Sequence, residues 1–277
     1  MYGVLVIGAP GAGKSTFCAG LADVFAQLKR DYVSINLDPA NDITPYDVHH
    51  DIRELITVEE VMDRLQLGPN GALRYCIATL SANKDWLLDI LTSTRDRYAI
   101  IDCPGQLEIY KSDGDFCSMI QSLQKSGVQL CALHLSDSTY CTDAAKFISV
   151  VMSTLSVMIQ LEMPQVNVLS KADLLPDDIP FDIEYFTQLP DISRLLEMLN
   201  DIPELQKYQK LSEAICQIVN DYDLVSFATL DVRKKEDMAK IVVMADKANG
   251  YAFVDRGDIR EMVIPRVIDE KVSTDKR

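Results

Sequence analysis

The stretch Val4–Ser15, which reads VLVIGAPGAGKS, decides the fold of this chain. Its four leading apolar residues predict a buried strand. The eight residues that follow match the pattern G-x-x-x-x-G-K-[ST], a phosphate-binding loop called the P-loop, and a helical pattern comes directly after it. Glycines let backbone N–H groups turn toward phosphate oxygens, and the N-terminus of a helix favours an anion. The stretch therefore predicts a nucleotide site on a strand, a loop and a helix.

The side chains of this loop are expected to divide the work of holding a nucleoside triphosphate. Lys14 would reach the terminal phosphates, and the Ser15 hydroxyl would be a ligand of Mg²⁺. The predicted nucleotide-binding residues of the loop are Gly11, Ala12, Gly13, Lys14, Ser15 and Thr16.

Short apolar runs alternate with helical patterns over most of the 277 residues. The runs lack polar alternation, which is typical of strands buried on both faces of a parallel sheet. The predicted fold class is α/β: a three-layer P-loop NTPase with a mainly parallel sheet flanked by helices, plus a helical insertion. The predicted strands are 4–7, 32–37, 98–101, 128–135, 166–169 and 224–230. The predicted helices are 14–28, 58–65, 73–91, 143–161 and 235–248.

The chain is expected to form one P-loop domain over residues 1–250, followed by a loosely ordered or partner-dependent tail at 251–277. A segment at about 174–222, rich in proline and holding two expected helices, is predicted to be the helical insertion. Residues 173–204 carry nine acidic side chains and a single basic one, Arg194. This acidic stretch is expected to be a solvated face or a docking site for a basic partner.

Composition excludes several classes of protein. The formal net charge of −15 argues against the simplest kind of nucleic-acid binder, so no direct contact with nucleic acid is expected. The longest apolar runs noted, 2–7 and 128–135, are far shorter than the roughly 20 residues of a membrane span. Seven scattered cysteines and no secretory signal pattern indicate a reducing compartment. The expected location is cytoplasmic or nuclear, with no membrane partner.

An acidic residue ends the third predicted strand. Asp102 is followed by Cys103-Pro104-Gly105-Gln106. P-loop proteins place at this point the carboxylate that holds the Mg²⁺ shell. Gly105 would let the backbone approach the terminal phosphate, and Gln106 could orient a water for in-line attack. The alternative is an ordinary strand-ending Asp in a Pro-Gly turn.

A candidate base-recognition motif, Ser170-Lys171-Ala172-Asp173, follows a later strand. It resembles the [NT]-K-x-D pattern of guanine-nucleotide proteins. There the Asp carboxylate, here Asp173, accepts from guanine N1 and the exocyclic amine, and the stem of Lys171 packs along the base. Ser170 departs from the usual Asn and lacks the amide that braces loop and base. The alternative is that Asp173 only caps a helix.

The motifs together resemble the GPN-loop GTPase family. Two more carry the resemblance: Asn36–Asn41, NLDPAN, which closes the second strand, and Gly68-Pro69-Asn70 between two helical patterns. The resemblance extends from about residue 3 to 252. Residues 140–150 and 246–251 are most similar to the second of the three eukaryotic paralogues. Related MinD-like ATPases carry a second lysine where this chain has Ala9.

The resemblance implies a dimeric GTPase that binds GTP or GDP with Mg²⁺. The loop of Gly68, Pro69 and Asn70 would approach the phosphate end of the nucleotide on the other subunit, and Asn70 would donate its side-chain amide to phosphate. Asp38 and Gln106 would position the attacking water. The implied catalytic residues are Asp38, Asn70, Gln106 and Glu108, the implied base-binding residues are Ser170, Lys171 and Asp173, and the implied metal-site residues are Ser15, Asp38 and Asp102.

The resemblance also implies partners. These are a second copy or a paralogous GPN-loop GTPase, and RNA polymerase II subunits or assembly factors, in polymerase assembly and nuclear import. Two other functions stay open on the residues alone. A P-loop kinase acting on a small molecule or polynucleotide would need a second substrate pocket, usually with arginines over the acceptor phosphate or a mobile lid, and no Arg-rich lid pattern appears. A non-hydrolysing GTP-binding scaffold would have no use for Gln106 and Asp38.

Overall fold

The computed structural model describes residues 1–110, 114–176, 183–188, 193–200, 206–222 and 225–254. Its described strands form one parallel sheet. The strands are β1 (Tyr2–Gly8), β2 (Tyr32–Asn36), β3 (His50–Asp51), β4 (Tyr98–Asp102), β5 (Gln129–Asp137), β6 (Gln165–Ser170) and β7 (Phe227–Thr229), in the spatial order β3-β2-β4-β1-β5-β6-β7.

The predicted α/β fold with a parallel sheet is confirmed. Each of the six predicted strands overlaps an observed one, although β7 covers only Phe227–Thr229 of the predicted 224–230, and residues 223 and 224 lie outside the described part. The two-residue edge strand β3 was not predicted, because His50 and Asp51 form no apolar run. Pairing with Ile35 and Asn36 of β2 creates this strand.

Helices cover the sheet. They are α1 (Lys14–Gln27), α2 (Val58–Leu65), α3 (Pro69–Ala82), α4 (Lys84–Ser93), α5 (Asp115–Lys125), α6 (Ala144–Leu161), α7 (Ile183–Gln188), α8 (Ser193–Asn200), α9 (Gln209–Tyr222) and α10 (Lys235–Ala248).

Two differences from the predicted helices have physical reasons. The single helix expected over 73–91 is broken at Asn83, whose side-chain amide donates to the Thr79 carbonyl (2.8 Å) and so competes with the backbone. Helix α5 was missed, although it buries Phe116, Ile120 and Leu123 at helical spacing. The expected insertion contains three described helices, α7 to α9, where two were expected.

Three large apolar clusters hold the layers together, and a fourth, smaller one joins α2 to α3. Helices α1 and α10 pack with one face of the sheet, through residues such as Phe17 and Ile241. Helices α3, α4 and α5 pack on the other face. Helix α6 forms a third cluster with α7, α8 and α9, centred on Phe147 and Phe186, whose rings are 4.7 Å apart.

Helix α6 is long and apolar enough to cross a membrane by length and composition, with a mean hydropathy of 1.6 over Ala144–Leu161. The apolar runs considered in the sequence did not include it. Its buried side chains, among them Phe147, Val151 and Leu155, are part of the third cluster. We therefore describe α6 as a packing helix of this fold.

The sheet order decides where a ligand can bind. Strand β1 lies between β4 and β5. After β1 the chain continues to β2, on the β4 side of β1, whereas after β4 it crosses to β5 on the other side. Parallel sheets bind ligands beyond the carboxyl ends of their strands, at such a switch point. Asp102 ends β4 there, opposite Val6 of β1 and Asn36 of β2. The fold thus brings the P-loop and Asp102 to one edge.

Candidate nucleotide-binding site

The P-loop joins β1 to α1 through backbone that only glycine adopts readily. Gly8, Gly11 and Gly13 have φ values of 145°, 78° and 88°. A Cβ atom on Gly8 would lie 2.2 Å from the carbonyl oxygen of Leu135, so β1 and β5 could not keep their spacing there. Gly13 precedes the first residue of α1, and the exposed Thr16 lies in its first turn. The geometry is that of an anion-binding loop at a helix N-terminus.

Lys14 is buried in this loop, with 8% of its surface exposed. Its Nζ lies 3.4 Å from the carbonyl oxygen of Ala9. A Cβ on Gly105 would come within 3.0 Å of both Lys14 Nζ and the Pro10 nitrogen. Gly105 therefore lets the segment after β4 approach the P-loop closely.

Asp102 is the buried acid of the site. Its Oδ2 accepts hydrogen bonds from the hydroxyls of Ser15 (2.7 Å) and Tyr46 (3.1 Å), while its Oδ1 is buried with no hydrogen-bond partner among the described residues. Burial raises the pKa of Asp102 to about 6, against the opposing effect of the two hydroxyls and the Lys14 ammonium. A buried carboxylate oxygen that lacks a partner is suited to a cation.

The oxygen donors of Ser15, Asp102 and Asp38 are of the kind that Mg²⁺ prefers. The described part of the chain contains no group of three or more His, Cys, Asp or Glu side chains able to hold a metal alone. Mg²⁺ commonly combines one or two protein ligands with substrate phosphates, so these residues fit a nucleotide-bound ion. When bound, Mg²⁺ would neutralise charge that develops on the phosphates.

Two residues of the segment between β2 and β3 contact Ser15 and Asp102, and the sequence did not reveal their role. The Asn41 side-chain amide donates to Ser15 Oγ (2.9 Å), and Tyr46 contacts Asp102. In the same segment, burial raises the pKa of Asp38, whose Oδ1 accepts from the Ala40 backbone N–H (3.0 Å). Asp38 thus lies at the site with a carboxyl that can accept a proton more readily than an exposed aspartate.

The two other implied catalytic residues of the segment after β4 differ in placement. Gln106 is half-buried, directly after Gly105. Glu108 is exposed in a 3₁₀ turn, Leu107–Tyr110. Gln106 therefore follows the glycine that lies against the P-loop, while the Glu108 side chain lies at the surface.

Gly68, Pro69 and Asn70 begin α3 and do not form a separate loop. Gly68 is the N-cap, Pro69 is the first helical residue, and all three are exposed. Proline is favoured at this position because its missing N–H has no helical partner to lose. No hydrogen bond between described residues joins these three to the P-loop. The described hydrogen bonds therefore do not connect these three residues to the P-loop.

The base motif is joined to the P-loop by its first residue. The Ser170 hydroxyl donates to the Ala12 carbonyl (2.7 Å), with the Ser136 carbonyl 3.1 Å away. The bracing that the absent Asn was expected to provide is therefore supplied by a hydroxyl. Lys171 has a left-handed backbone (φ 58°), and its ammonium contacts Asp137 at 2.7 Å. Asp173 lies in a 3₁₀ turn, where Arg233 pairs with it at 2.8 Å.

A cavity of about 430 Å³ adjoins the P-loop on the side of α6. Its lining includes the loop residues Ala9 to Ala12, Leu107, and the ion pair of Asp137 and Lys171. Asp137 ends β5, a position from which sequence reasoning could have selected it as it selected Asp102. The phosphate loop and the base motif therefore open onto a common depression.

The raised pKa of Asp102 predicts a pH dependence of Mg²⁺ binding. Only the carboxylate can hold the ion, so Mg²⁺ should add less to GDP affinity as pH falls through about 6. Fluorescent GDP titrations with and without Mg²⁺, between pH 7.5 and 5.0, would measure this increment. Below pH 6, the gain in GDP affinity that Mg²⁺ provides should fall by up to about tenfold for each pH unit.

The Asp102→Asn variant is the control, because the nucleotide phosphates titrate in both proteins and only the wild type loses a carboxylate. The same pH profile of the Mg²⁺ increment in the two proteins would contradict the role given to Asp102.

Comparisons with known proteins agree with this geometry. The profile of a family described as "Conserved hypothetical ATP binding protein" matches residues 6–251. GPN-loop GTPase 2 of Danio rerio is 42% identical over 276 residues, covering 99% of this chain and 88% of that protein. GPN-loop GTPase QQT1 of Arabidopsis thaliana is 40% identical over 257 residues, covering 91% and 86%.

A solved structure shares the fold. PAB0955, a GTPase from Pyrococcus abyssi crystallised in its apo form, superposes with a TM-score of 0.74 at 22% identity, covering 89% of this chain and 97% of the other. The expected likeness to the second paralogue is confirmed by relatives of that name in Danio rerio and Saccharomyces cerevisiae, the latter 37% identical over 261 residues, or 91% of this chain and 75% of that protein. The chain belongs to the GPN-loop GTPase family.

Proposed function

We propose that this chain is a dimeric, GTP-hydrolysing switch that acts in the assembly and nuclear import of RNA polymerase II. Family membership gives the reaction, hydrolysis of GTP to GDP and phosphate. The observation that supports this site most strongly is the 2.7 Å contact between Ser15 and the buried Asp102, beside Lys14. That contact joins a P-loop hydroxyl to a strand-end carboxylate, as Mg²⁺-dependent phosphate chemistry requires.

In the proposed reaction, a water attacks the γ-phosphorus while the bond to the β–γ bridging oxygen breaks, and the water's proton passes to a phosphate oxygen or to solvent. Lys14 and the N-terminus of α1 stabilise the negative charge. Gln106 orients the water with its amide, and Asp38 accepts a hydrogen bond from it. No arginine belongs to the described P-loop or to the Asp102–Gln106 segment, so this charge stabilisation falls to Lys14 and backbone N–H groups.

Gln106→Leu should separate binding from chemistry. The substitution keeps the volume of the side chain and removes the groups that orient water, so single-turnover phosphate release should slow by about a hundredfold. Affinity for a GTP analogue should stay within about twofold, since Gln106 holds the water and not the nucleotide. Unchanged turnover would remove Gln106 from this role, and lost affinity would make it a binding residue.

The dimer is supported by the surface around Gly68–Asn70. These residues are exposed and make no hydrogen bond to the P-loop of their own chain in the described part. Near them, Leu65 (46%) at the end of α2, Leu67 (38%) in the connection and Tyr75 (46%) on α3 are exposed large apolar side chains. Clustered exposed apolar side chains commonly mark a subunit contact. A second copy could cover this surface and receive Asn70 at its phosphate site.

Mixing two inactive variants would test whether Asn70 acts across the dimer. Asn70→Ala keeps its phosphate site, and Lys14→Ala keeps its Gly68–Asn70 segment. In a two-fold mixed dimer, the nucleotide of the first subunit meets the intact Asn70 of the second. After subunit exchange at equal concentrations, GTP turnover should rise to about a quarter of the wild-type rate, because half of the dimers hold one productive site.

Light-scattering mass must confirm that the mixture is dimeric. Turnover that equals the mean of the two separate variants, in a mixture shown to exchange, would contradict action across the interface. Wild-type turnover by Asn70→Ala alone would exclude Asn70 from the reaction.

The client is proposed from the family resemblance: RNA polymerase II subunits or assembly factors, met in the cytoplasm on the way to the nucleus. In a switch, nucleotide state changes client affinity. Capture of purified polymerase II subunits by this protein loaded with a GTP analogue or with GDP should differ by at least about fivefold. Lys14→Ala should lose the difference, because it cannot hold the analogue. Equal capture by the two loaded states of the wild type would contradict the switch.

A further inference from the structure

Arg233 forms an ion pair with Asp173, the carboxylate that the proposed guanine site needs. Its Nη2 lies 2.8 Å from Oδ2 of Asp173. Arg233 belongs to the segment that connects β7 to α10, and this segment is attached to the base motif by main-chain hydrogen bonds. The Leu230 N–H donates to Leu169 (2.8 Å), and the Ala172 N–H donates to Leu230 (3.1 Å). The two segments therefore lie side by side, with Arg233 next to Asp173.

Asp231 fixes the position of Arg233 through two hydrogen bonds. Oδ1 of Asp231 accepts from the backbone N–H of Arg233 (3.0 Å) and from its Nε (3.2 Å). Asp231 is buried, and its own backbone N–H donates to Oδ2 of Asp237 (3.0 Å). The side chain of Arg233 is nevertheless 73% exposed, against 23% for Asp173. An arginine anchored at Nε, with its outer nitrogens near solvent, can meet a ligand without losing its anchor.

Ser170 creates a need for another donor at the base. In the [NT]-K-x-D pattern, the first side chain braces the loop and contacts the base. Ser170 has one hydroxyl proton, which is donated to the Ala12 carbonyl. The Ser170 hydroxyl still braces the loop, but it has no second hydrogen to donate to an acceptor on the purine. Guanine presents two such acceptors, O6 and N7, away from the edge that Asp173 would bind.

We propose that Arg233 is a guanine-recognition residue, which donates to O6 and N7 of the base while Asp173 accepts from N1 and the exocyclic amine. The inference rests on the proposed guanine-nucleotide site. An arginine binds these two atoms of guanine through paired donors, the commonest specific contact to this base. Adenine places an amino donor where guanine has O6, so the guanidinium disfavours it. In this arrangement the base would take the place of the Asp173–Arg233 ion pair.

Equilibrium binding of GDP, ADP and 7-deaza-GDP tests the proposal, because 7-deaza-GDP lacks only the N7 acceptor. Arg233→Ala should weaken GDP about tenfold, within the range for a paired arginine–guanine contact. Wild type should bind 7-deaza-GDP about fivefold more weakly than GDP, and Arg233→Ala should bind the two equally. Arg233→Lys has one compact donor group, so its GDP affinity should lie between those of wild type and Arg233→Ala. Lys235→Ala, an exposed neighbour with the same charge change, should bind GDP like wild type.

Each other outcome overturns the proposal at a different point. Tighter GDP binding by Arg233→Ala would make Arg233 a competitor for Asp173 only. Equal losses for GDP and 7-deaza-GDP would make its contribution one of charge. Wild type that does not prefer GDP to ADP would refute the guanine site itself. A clear GDP preference that Asp173→Asn removes and Arg233→Ala leaves intact would refute Arg233 alone.

Discussion

The placement of a carboxylate at the buried end of a central strand constrains the whole site. Strand β4 is paired on both sides, with Asp102 opposite Val6 and Asn36, so this side chain cannot move to solvent without disturbing three strands. Water is excluded, and the charge must be balanced locally by Lys14, by the hydroxyls of Ser15 and Tyr46, or by a metal ion. The P-loop glycines matter because they let Lys14 and Ser15 reach this fixed point.

Groups proposed to meet the nucleotide are already in contact with protein groups. Asn41 holds Ser15, Tyr46 holds Asp102, and Arg233 holds Asp173. Binding is then an exchange of hydrogen bonds, and its net free energy is much smaller than the sum of the new contacts. Asn41 and Tyr46 both belong to the segment between β2 and β3, so this one segment contacts both Ser15 and Asp102.

The sequence revealed those parts of the site that depend on local order. The P-loop, Asp102 and Ser170–Asp173 each follow a buried strand, so their spacing and their position in the fold carry the same information. The residues that contact these motifs could not be predicted from local sequence order. Tyr46 reaches Asp102 across 56 positions, and Arg233 reaches Asp173 only because β7 lies beside β6. Helix α5 is a different case, because the helical spacing of Phe116, Ile120 and Leu123 is visible in the sequence itself.

The described phosphate segments contain no arginine, so the exposed start of α3 at Gly68–Asn70 is a candidate source of further electropositive groups. Transition-state charge on a γ-phosphate needs electropositive groups beyond Lys14. A helix N-terminus offers free backbone N–H groups and a partial positive charge, and α3 begins at Pro69 with no side-chain cap on Gly68. Asn70 adds an amide donor without the desolvation cost of a full charge. Supplied by a second subunit, such a neutral group would make hydrolysis depend on the dimer while leaving nucleotide binding to each subunit alone.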